Sequence, residues 1–298
     1  MKSFEGTFVV AVTPFNKSGS LDTEALRENI DFYIKNEVHG IVVTGSTGEF
    51  AALSDEEIKK IHETAVEHVN GRVPLIAGTA ACSTKKVIEI TSYAKNIGVD
   101  GALIVPPFYS KIDDEEIFKH YENIGTSVEL PIMLYNNPFT SKIDIKPELI
   151  SKISEIDNIK YVKESSGDIT RIWKILELTR GKITVFCGAD NLALESFVMG
   201  AKGWICVAAN IFPRETSRLY EIANFEKDYR RALEHYQALL PLYNFLEDTG
   251  KFTHTAKYGL ELRGMKAGSP REPFLPLSEH HRRKVKEIIK NIQKINLK

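Results

Sequence analysis

Residues 159–187 read IKYVKESSGDITRIWKILELTRGKITVFC and contain a strand, a helix and a second strand in direct succession. Short runs of β-branched residues open and close this stretch, and the segment between them repeats apolar residues at helical spacing. Asp168 stands where a helix N-cap is expected, and Gly181 stands where the helix should end. Strands that are apolar along nearly their whole length are buried on both faces, so the stretch indicates a parallel βαβ unit.

The same alternation recurs along the first 213 residues. Eight strands are predicted: TFVVAV at 7, GIVVT at 40, VPLIAG at 73, GALIVP at 101, PIMLY at 131, IKYVK at 159, ITVFC at 183 and GWICVA at 203. Helices between them are predicted to begin after Asp22, Ser54 and Ser83, with Glu57 completing a capping box, and to end at Gly71 and Gly98.

Eight such units predict an α/β fold of the (β/α)8 TIM barrel class. The alternative is a doubly wound open sheet, but the turn after the first strand, TPFNKSGS, lacks the G-x-G-x-x-G pattern of that fold. After residue 213 only helices are predicted, over 214–224, 226–248, 253–264 and 278–295. We therefore expect a barrel core over 1–213, and a final barrel helix with a C-terminal helical extension over 214–298.

Composition argues against several classes of partner. The 298 residues include 39 basic and 40 acidic side chains, so no global field draws the chain to nucleic acid or to an anionic membrane. The basic segment at 280–294 carries Val285, Ile288, Ile289 and Ile292 at helical spacing, which indicates a terminal helix with a solvated basic face. The apolar stretch near the N-terminus is too short for a signal peptide, so we expect a cytoplasmic protein.

Metal and disulfide chemistry are not indicated either. Cys82, Cys187 and Cys206 lack C-x-x-C spacing and are expected to be buried and inert, and the eight histidines lack H-x-x-x-H spacing. The loops after the last two strands carry Asp190 and bulky residues where a phosphate site would need bare glycine amides. We therefore expect no metal and an unphosphorylated substrate.

Lys163 is the residue that most needs an explanation, because it lies at the carboxyl end of a buried strand, where barrel enzymes place their chemistry. Tyr161, Lys163 and Ser165 share one side of that strand, so Glu164 cannot pair with the lysine. Burial favours the neutral amine, and a neutral amine forms a Schiff base with a carbonyl substrate. The alternative is a salt bridge to a carboxylate from another strand, for which Asp190 is the nearest candidate.

Two further strand ends carry suitable companions for such an amine. Ser46 and Thr47 lie in the turn GSTG, whose hydroxyls and backbone amides are suited to holding a carboxylate. Tyr135 ends another strand at the same mouth, where a phenol can relay protons during imine formation. Each feature alone is typical of an ordinary turn or strand end, but the three together indicate a site.

The motifs GSTGEF at 45, PPFY at 106, LYNNP at 134, KESSGD at 163 and GWICVAAN at 203 strongly resemble those of the dihydrodipicolinate synthase and N-acetylneuraminate lyase superfamily. The resemblance covers essentially the whole chain and implies a homotetramer, a dimer of dimers. It implies a class I lyase that forms an imine on Lys163 with pyruvate or another 2-oxo acid, without a cofactor. In some reactions of the superfamily an aldehyde is the second partner.

The resemblance also implies roles for individual residues. Lys163 matches the Schiff-base lysine and Tyr135 the proton-relaying tyrosine. Ser46 and Thr47 match the carboxylate-binding pair, and Thr47 also belongs to the hydroxyl relay. Tyr109 matches a tyrosine that enters the neighbouring subunit's site. Gly188 and Ile205 match backbone positions beside the keto acid. Ser165 and Asp190 match residues that bind a hydroxylated tail.

The reaction itself stays open at this stage. Thr140 occupies the substrate-binding position where synthases of the lysine pathway carry an arginine, and Lys142 cannot reproduce a bidentate arginine grip. This disfavours 4-hydroxy-tetrahydrodipicolinate synthase without excluding it. Aldol cleavage or condensation of a small 2-oxo sugar acid, dehydration, and deamination as in the hydroxyproline pathway all begin with the same imine. A non-catalytic 2-oxo-acid-binding barrel is a further alternative, although it would gain nothing from Lys163 and Tyr135 together.

Overall fold

A computed structural model describes residues 3–295 and residue 297. Its centre is a closed barrel of parallel strands in chain order, in which the last strand pairs with the first. The strands are β1 (Gly6–Val10), β2 (Gly40–Val43), β3 (Leu75–Gly78), β4 (Gly101–Ile104), β5 (Ile132–Asn136), β6 (Ile159–Glu164), β7 (Thr184–Cys187) and β8 (Gly203–Cys206). The predicted (β/α)8 barrel is confirmed, with each predicted strand in its place.

Helices follow the strands and continue beyond them. They are α1 (Thr23–Lys35), α2 (Asp55–Val69), α3 (Thr84–Ile97), α4 (Asp114–Ser127), α5 (Pro138–Ser141), α6 (Pro147–Ile153), α7 (Thr170–Leu178), α8 (Ala193–Val198), α9 (Pro213–Glu221), α10 (Tyr229–Thr249), α11 (Phe252–Leu262) and α12 (Glu279–Ile292). The C-terminal helical extension is confirmed. Val285, Ile289 and Ile292 of α12 are buried, so its basic residues lie on the outer face.

Most predicted helix ends are observed. Asp22, Ser54 and Ser83 each accept a backbone N–H at the start of a helix, and Glu57 completes the capping box of α2. Asp168 is not the N-cap of α7 as predicted. Ile169 is the N-cap, and the Asp168 carboxylate just before it accepts the backbone N–H of Thr170.

Three sequence expectations about ends and burial need correction. Asn70 rather than Gly71 is the left-handed C-cap of α2, and the C-cap of α7 is Thr179, two residues before Gly181. Cys82 was expected to be buried but is exposed in the loop before α3, whereas Cys187 and Cys206 are buried. Among the described residues, no helix is both long and apolar enough to cross a membrane.

Aromatic side chains fill the barrel near the amino ends of the strands. Phe186 packs edge-to-face on Phe8 and on Tyr161, with ring centroids 5.5 and 6.0 Å apart. Gly203 makes room for this packing, because a Cβ atom there would lie 2.1 Å from the Phe186 ring. Phe8, Tyr161 and Phe186 form an aromatic plug in the barrel interior, and enzymes of this fold bind substrate at the opposite end, where the strands end.

Replacing Gly203 by alanine tests this packing. Gly203→Ala is expected to destabilise the fold by about 1–3 kcal/mol, because the added methyl group must displace the Phe186 ring. Urea unfolding measures the loss. The second-site variant Phe186→Leu removes the obstructing ring atoms, so the double variant should lose less stability than the sum of the two single variants. Strictly additive losses would contradict the packing described.

Candidate active site

The strand that carries Lys163 points its side chains alternately into and out of the barrel. Tyr161 lies in the aromatic plug, and Lys163 lies one layer nearer the mouth with only 5% of its surface exposed. Glu164 is committed elsewhere, because it accepts hydrogen bonds from Asn136 Nδ2 at 3.0 Å and from the Ser166 N–H at 2.6 Å. The lysine is therefore separated from the carboxylate next to it in sequence.

Tyr135 is the immediate neighbour of this amine. It pairs with Lys163 across β5 and β6, and Lys163 Nζ lies 4.0 Å from the centroid of its ring. Asn137 Nδ2 donates a hydrogen bond of 2.8 Å to the phenol oxygen. Burial by itself would raise the pKa of Tyr135, but the positive charge of Lys163 and the Asn137 hydrogen bond outweigh it and lower that pKa below its usual value.

No carboxylate within the described residues forms an ion pair with Lys163. The salt bridge to Asp190 that the sequence left open is therefore not formed. Both Asp190 oxygens are used by the protein: Oδ1 accepts from Trp204 Nε1 at 3.0 Å, and Oδ2 accepts from the Ala208 N–H at 2.8 Å. The Asp190 carboxylate thus holds Trp204 of β8 and the segment after that strand, and its expected contact with a substrate tail stays a prediction.

Glu247 adds a second acid that the sequence did not single out. It projects from α10, and its Oε1 accepts the Asp190 N–H at 2.9 Å. Burial raises the pKa of Asp190 to about 6. Burial and the nearby Asp190 charge together raise the pKa of Glu247 to about 7. The C-terminal extension thus places a titratable pair beside the end of β7.

Gly188 gives the lysine its space. A Cβ atom at this position would lie 1.8 Å from Ser165 Oγ and 2.9 Å from Lys163 Cε. The Ser165 hydroxyl is buried near the Tyr135 phenol but makes no hydrogen bond of good geometry with any described residue. Since an unpaired buried hydroxyl is unfavourable, Ser165 is available to a bound substrate.

The GSTG turn follows a residue held in an unusual conformation. Thr44 has a positive φ of 53°, and its hydroxyl lies 2.7 Å from His62 Nε2 and 2.9 Å from the Gly78 carbonyl oxygen. Burial lowers the pKa of His62 to about 4, so this histidine is a neutral partner. Beyond Thr44, the Ser46 side chain is exposed and Thr47 is buried. His62 was not predicted, since it appears in sequence as one residue among the apolar positions of α2.

Ionic and polar contacts from the C-terminal extension hold the other side of this turn. Lys257 Nζ lies 2.6 Å from Glu49 Oε1 in a buried pair, and Arg271 forks onto Glu57 at 2.6 and 2.8 Å. The Thr253 hydroxyl donates to the Thr47 carbonyl oxygen at 3.2 Å. The extension therefore fixes the turn from outside the barrel.

The other predicted site residues have different settings. Ile205 is buried in β8, paired with Phe8 of β1. Thr140 is exposed in α5. Tyr109 is 88% exposed and does not join the cluster around Lys163 of its own chain.

A cavity of about 340 Å³ opens beside Ser46 and Thr140. A second, much smaller space shares Ser46, Phe50 and Val105 with this cavity and is also lined by Tyr135. Across residues 3–295 and 297, no group of three or more His, Cys, Asp or Glu side chains is arranged to hold a metal ion.

The Asp190–Glu247 pair predicts a pH dependence of stability. Because both pKa values are raised in the folded state, folding binds protons between about pH 4 and 7, and stability is lost as the pH rises through 6 to 7. Glu247→Gln keeps the acceptor for the Asp190 N–H but removes one charge. As the pH rises from 5 to 8, the thermal midpoint of Glu247→Gln should therefore fall by less than the thermal midpoint of the parent protein.

The matched control for this measurement is Glu234→Gln, which removes an exposed carboxylate from the same helix. Its pH curve should run parallel to that of the parent. A Glu247→Gln curve that is also parallel would show that the pair does not titrate in this range.

Comparison with known proteins gives a consistent picture. The model of the Dihydrodipicolinate synthetase family matches residues 3–292. The 4-hydroxy-tetrahydrodipicolinate synthase of Geotalea uraniireducens is 39% identical over 289 residues, covering 96% of this chain and 98% of that protein. Two solved structures add pyruvate complexes.

The first is the chloride-inhibited dihydrodipicolinate synthase of Acinetobacter baumannii complexed with pyruvate, with a TM-score of 0.94, 34% identity and coverage of 98% of this chain and 100% of that one. The second is YagE, a prophage protein of the dihydrodipicolinic acid synthase family from E. coli K12, also in complex with pyruvate, with a TM-score of 0.93, 28% identity and coverage of 97% and 99%. The chain described here belongs to the dihydrodipicolinate synthetase family and is a lyase of the Schiff-base aldolase class.

Proposed function

We propose that this lyase forms its Schiff base through Lys163, with pyruvate or another small unphosphorylated 2-oxo acid. The observation that supports this assignment is a buried amine at the barrel mouth that pairs with no carboxylate of residues 3–295 or 297 and lies 4.0 Å from the centroid of the Tyr135 ring. A lysine kept only for stability would be expected to have an anionic partner, as Lys257 has in Glu49.

The chemistry follows from the surrounding groups. The amine adds to the keto carbon, and the carbinolamine loses water to give a protonated imine, which then accepts the electron pair of a bond broken at the adjacent carbon. Tyr135 relays the protons of the addition and of the loss of water. We assign Ser46 and Thr47 to the carboxylate, with Thr47 in the relay, and Gly188, Ile205 and Ser165 to the rest of the keto acid. No cofactor beyond the imine is needed.

Tyr109 is assigned to a different subunit. Its large exposed side chain lies away from Lys163 of its own chain, which suits a tyrosine that enters a neighbouring site. We propose a homotetramer built as a dimer of dimers, in which Tyr109 completes the partner's mouth. This assembly remains a prediction, as do the cytoplasmic location and the division of the chain at residue 213.

The bond that is made or broken is a separate question. Aldol cleavage or condensation, dehydration and deamination all fit the same imine. The second candidate is 4-hydroxy-tetrahydrodipicolinate synthase, which is favoured by the names of the curated relatives and disfavoured by Thr140 where an arginine is expected.

Borohydride trapping tests the assignment of Lys163. In the presence of pyruvate, reduction should fix the keto acid on one peptide, the one containing Lys163, as read by mass spectrometry. Lys163→Ala should give no adduct, whereas Lys160→Ala, which removes an exposed lysine of the same strand, should react normally. An adduct on another lysine would refute the assignment, and trapping only with longer 2-oxo acids would favour dehydration or deamination.

Replacing Tyr135 by phenylalanine tests the proton relay. The ring beneath Lys163 Nζ is retained, so the fold should persist while the rate of imine formation falls by about 100-fold or more. Stopped reactions quenched with borohydride give this rate. Asn137→Ala, which removes the hydrogen bond to the phenol but leaves the phenol itself, should have a smaller effect. A trapping rate unchanged in Tyr135→Phe would remove the phenol from the mechanism.

A further inference from the structure

The cavity beside Ser46 and Thr140 is lined mainly by aromatic and aliphatic side chains. Phe50 and Phe108 meet edge-to-face with ring centroids 5.6 Å apart, and Phe274 of the C-terminal extension faces the same cavity. The remaining apolar lining is Ala51, Ala52, Val105 and Pro273. At about 340 Å³, the space accommodates a group of the size of a small aromatic ring.

The charged groups that line the cavity are already neutralised. Arg271 makes two hydrogen bonds to Glu57, and its guanidinium also donates to the Ala52 carbonyl oxygen at 3.0 Å and the Gly19 carbonyl oxygen at 2.8 Å. Glu49 forms an ion pair with Lys257, and its carboxylate also accepts a hydrogen bond of 2.7 Å from the backbone N–H of Arg271. A substrate carboxylate would have to displace Glu57 before it could form an ion pair with Arg271. Without that ion pair, burying the substrate carboxylate would be unfavourable.

Hydroxyl groups at the cavity are few. Ser141 Oγ is used within the chain, at 2.8 Å from the Asn137 carbonyl oxygen, and Ser46 is assigned to the keto acid carboxylate. Among the described residues of this chain that line the cavity, Thr140 carries the remaining hydroxyl, with a long contact of 3.5 Å to the Asn137 carbonyl oxygen. A tail with several hydroxyl groups would lose hydrogen bonds to water that this wall cannot replace.

The cavity adjoins a second, much smaller space that Tyr135 lines. Ser46, Phe50 and Val105 line both the cavity and this smaller space. A molecule whose tail lies among the phenylalanines can therefore direct its carbonyl group towards Tyr135 and the lysine.

We propose that the second substrate is an uncharged aldehyde with an aromatic or branched apolar tail, and this inference rests on the proposed imine function. The imine of pyruvate loses a proton from its methyl carbon and becomes an enamine. That carbon forms a bond to the aldehyde carbon, and the aldehyde oxygen takes the carbonyl electron pair and a proton. Water then hydrolyses the imine, which releases a 4-hydroxy-2-oxo acid and the free amine; cleavage is the reverse sequence.

The test compares aldehydes that differ only in their tails. With pyruvate, kcat/KM for benzaldehyde and isobutyraldehyde should exceed that for succinic semialdehyde and glyceraldehyde by about tenfold or more, with products identified by mass spectrometry. Thr140→Arg adds an unpaired cation at the cavity. It should lower the ratio of kcat/KM for benzaldehyde to kcat/KM for succinic semialdehyde by about tenfold, because the cation can pair with the carboxylate of succinic semialdehyde. Val198→Arg, which adds a cation at an exposed position outside the cavity, should leave that ratio near the parent value.

The outcomes separate this inference from the proposed function. If pyruvate is trapped on Lys163 but the parent protein prefers succinic semialdehyde or glyceraldehyde, or uses neither apolar aldehyde, then the inference about the tail is wrong and the imine function stands. If pyruvate and longer 2-oxo acids all fail to trap, the proposed function itself is wrong, and with it the second substrate.

Discussion

Lys163 is the buried charge around which the mouth of this barrel is organised. An ammonium group in such a place is normally paired with a carboxylate, because a buried charge without a partner is strongly unfavourable. Here strand alternation sends Glu164 to the opposite face, and backbone amides with Trp204 take up the Asp190 carboxylate. What faces the amine is a phenol ring and a glycine, which leave room for a carbonyl carbon.

The C-terminal extension holds these parts in register. Its contacts reach the turn after β2 through Lys257 and Thr253, and the end of β7 through Glu247. Buried ion pairs contribute little net stability, but breaking one by removing a single partner is strongly unfavourable, which restricts the alternative positions of the turn. The extension thus fixes the positions of the turn after β2 and of the end of β7, whereas the groups proposed to react lie on the barrel itself.

Periodicity was sufficient to locate the strands, and alternation within one strand was sufficient to direct Lys163 inward, because both depend on local spacing. The partners of Asp190 could not be inferred, since they come from β8 and from the segment after it. His62 and Glu247 were missed for the same reason: each becomes significant only when a helix is packed against a loop distant in sequence. Cys82 was wrongly expected to be buried because small neighbours in sequence do not determine exposure in a loop.

The two halves of the site are constrained to different degrees. The half proposed to form the imine lies on the strands, where Tyr135 and Lys163 are fixed by the register of β5 and β6, and beside Gly188, which has no room for a side chain. The outer half lies on α5, on the loops and on the extension, and Thr140 there is exposed. A substitution at such a position changes which tail is accepted without disturbing the barrel. Relatives at 36–39% identity can therefore share the lysine chemistry with this chain while differing from it in the carbonyl compound that meets the imine.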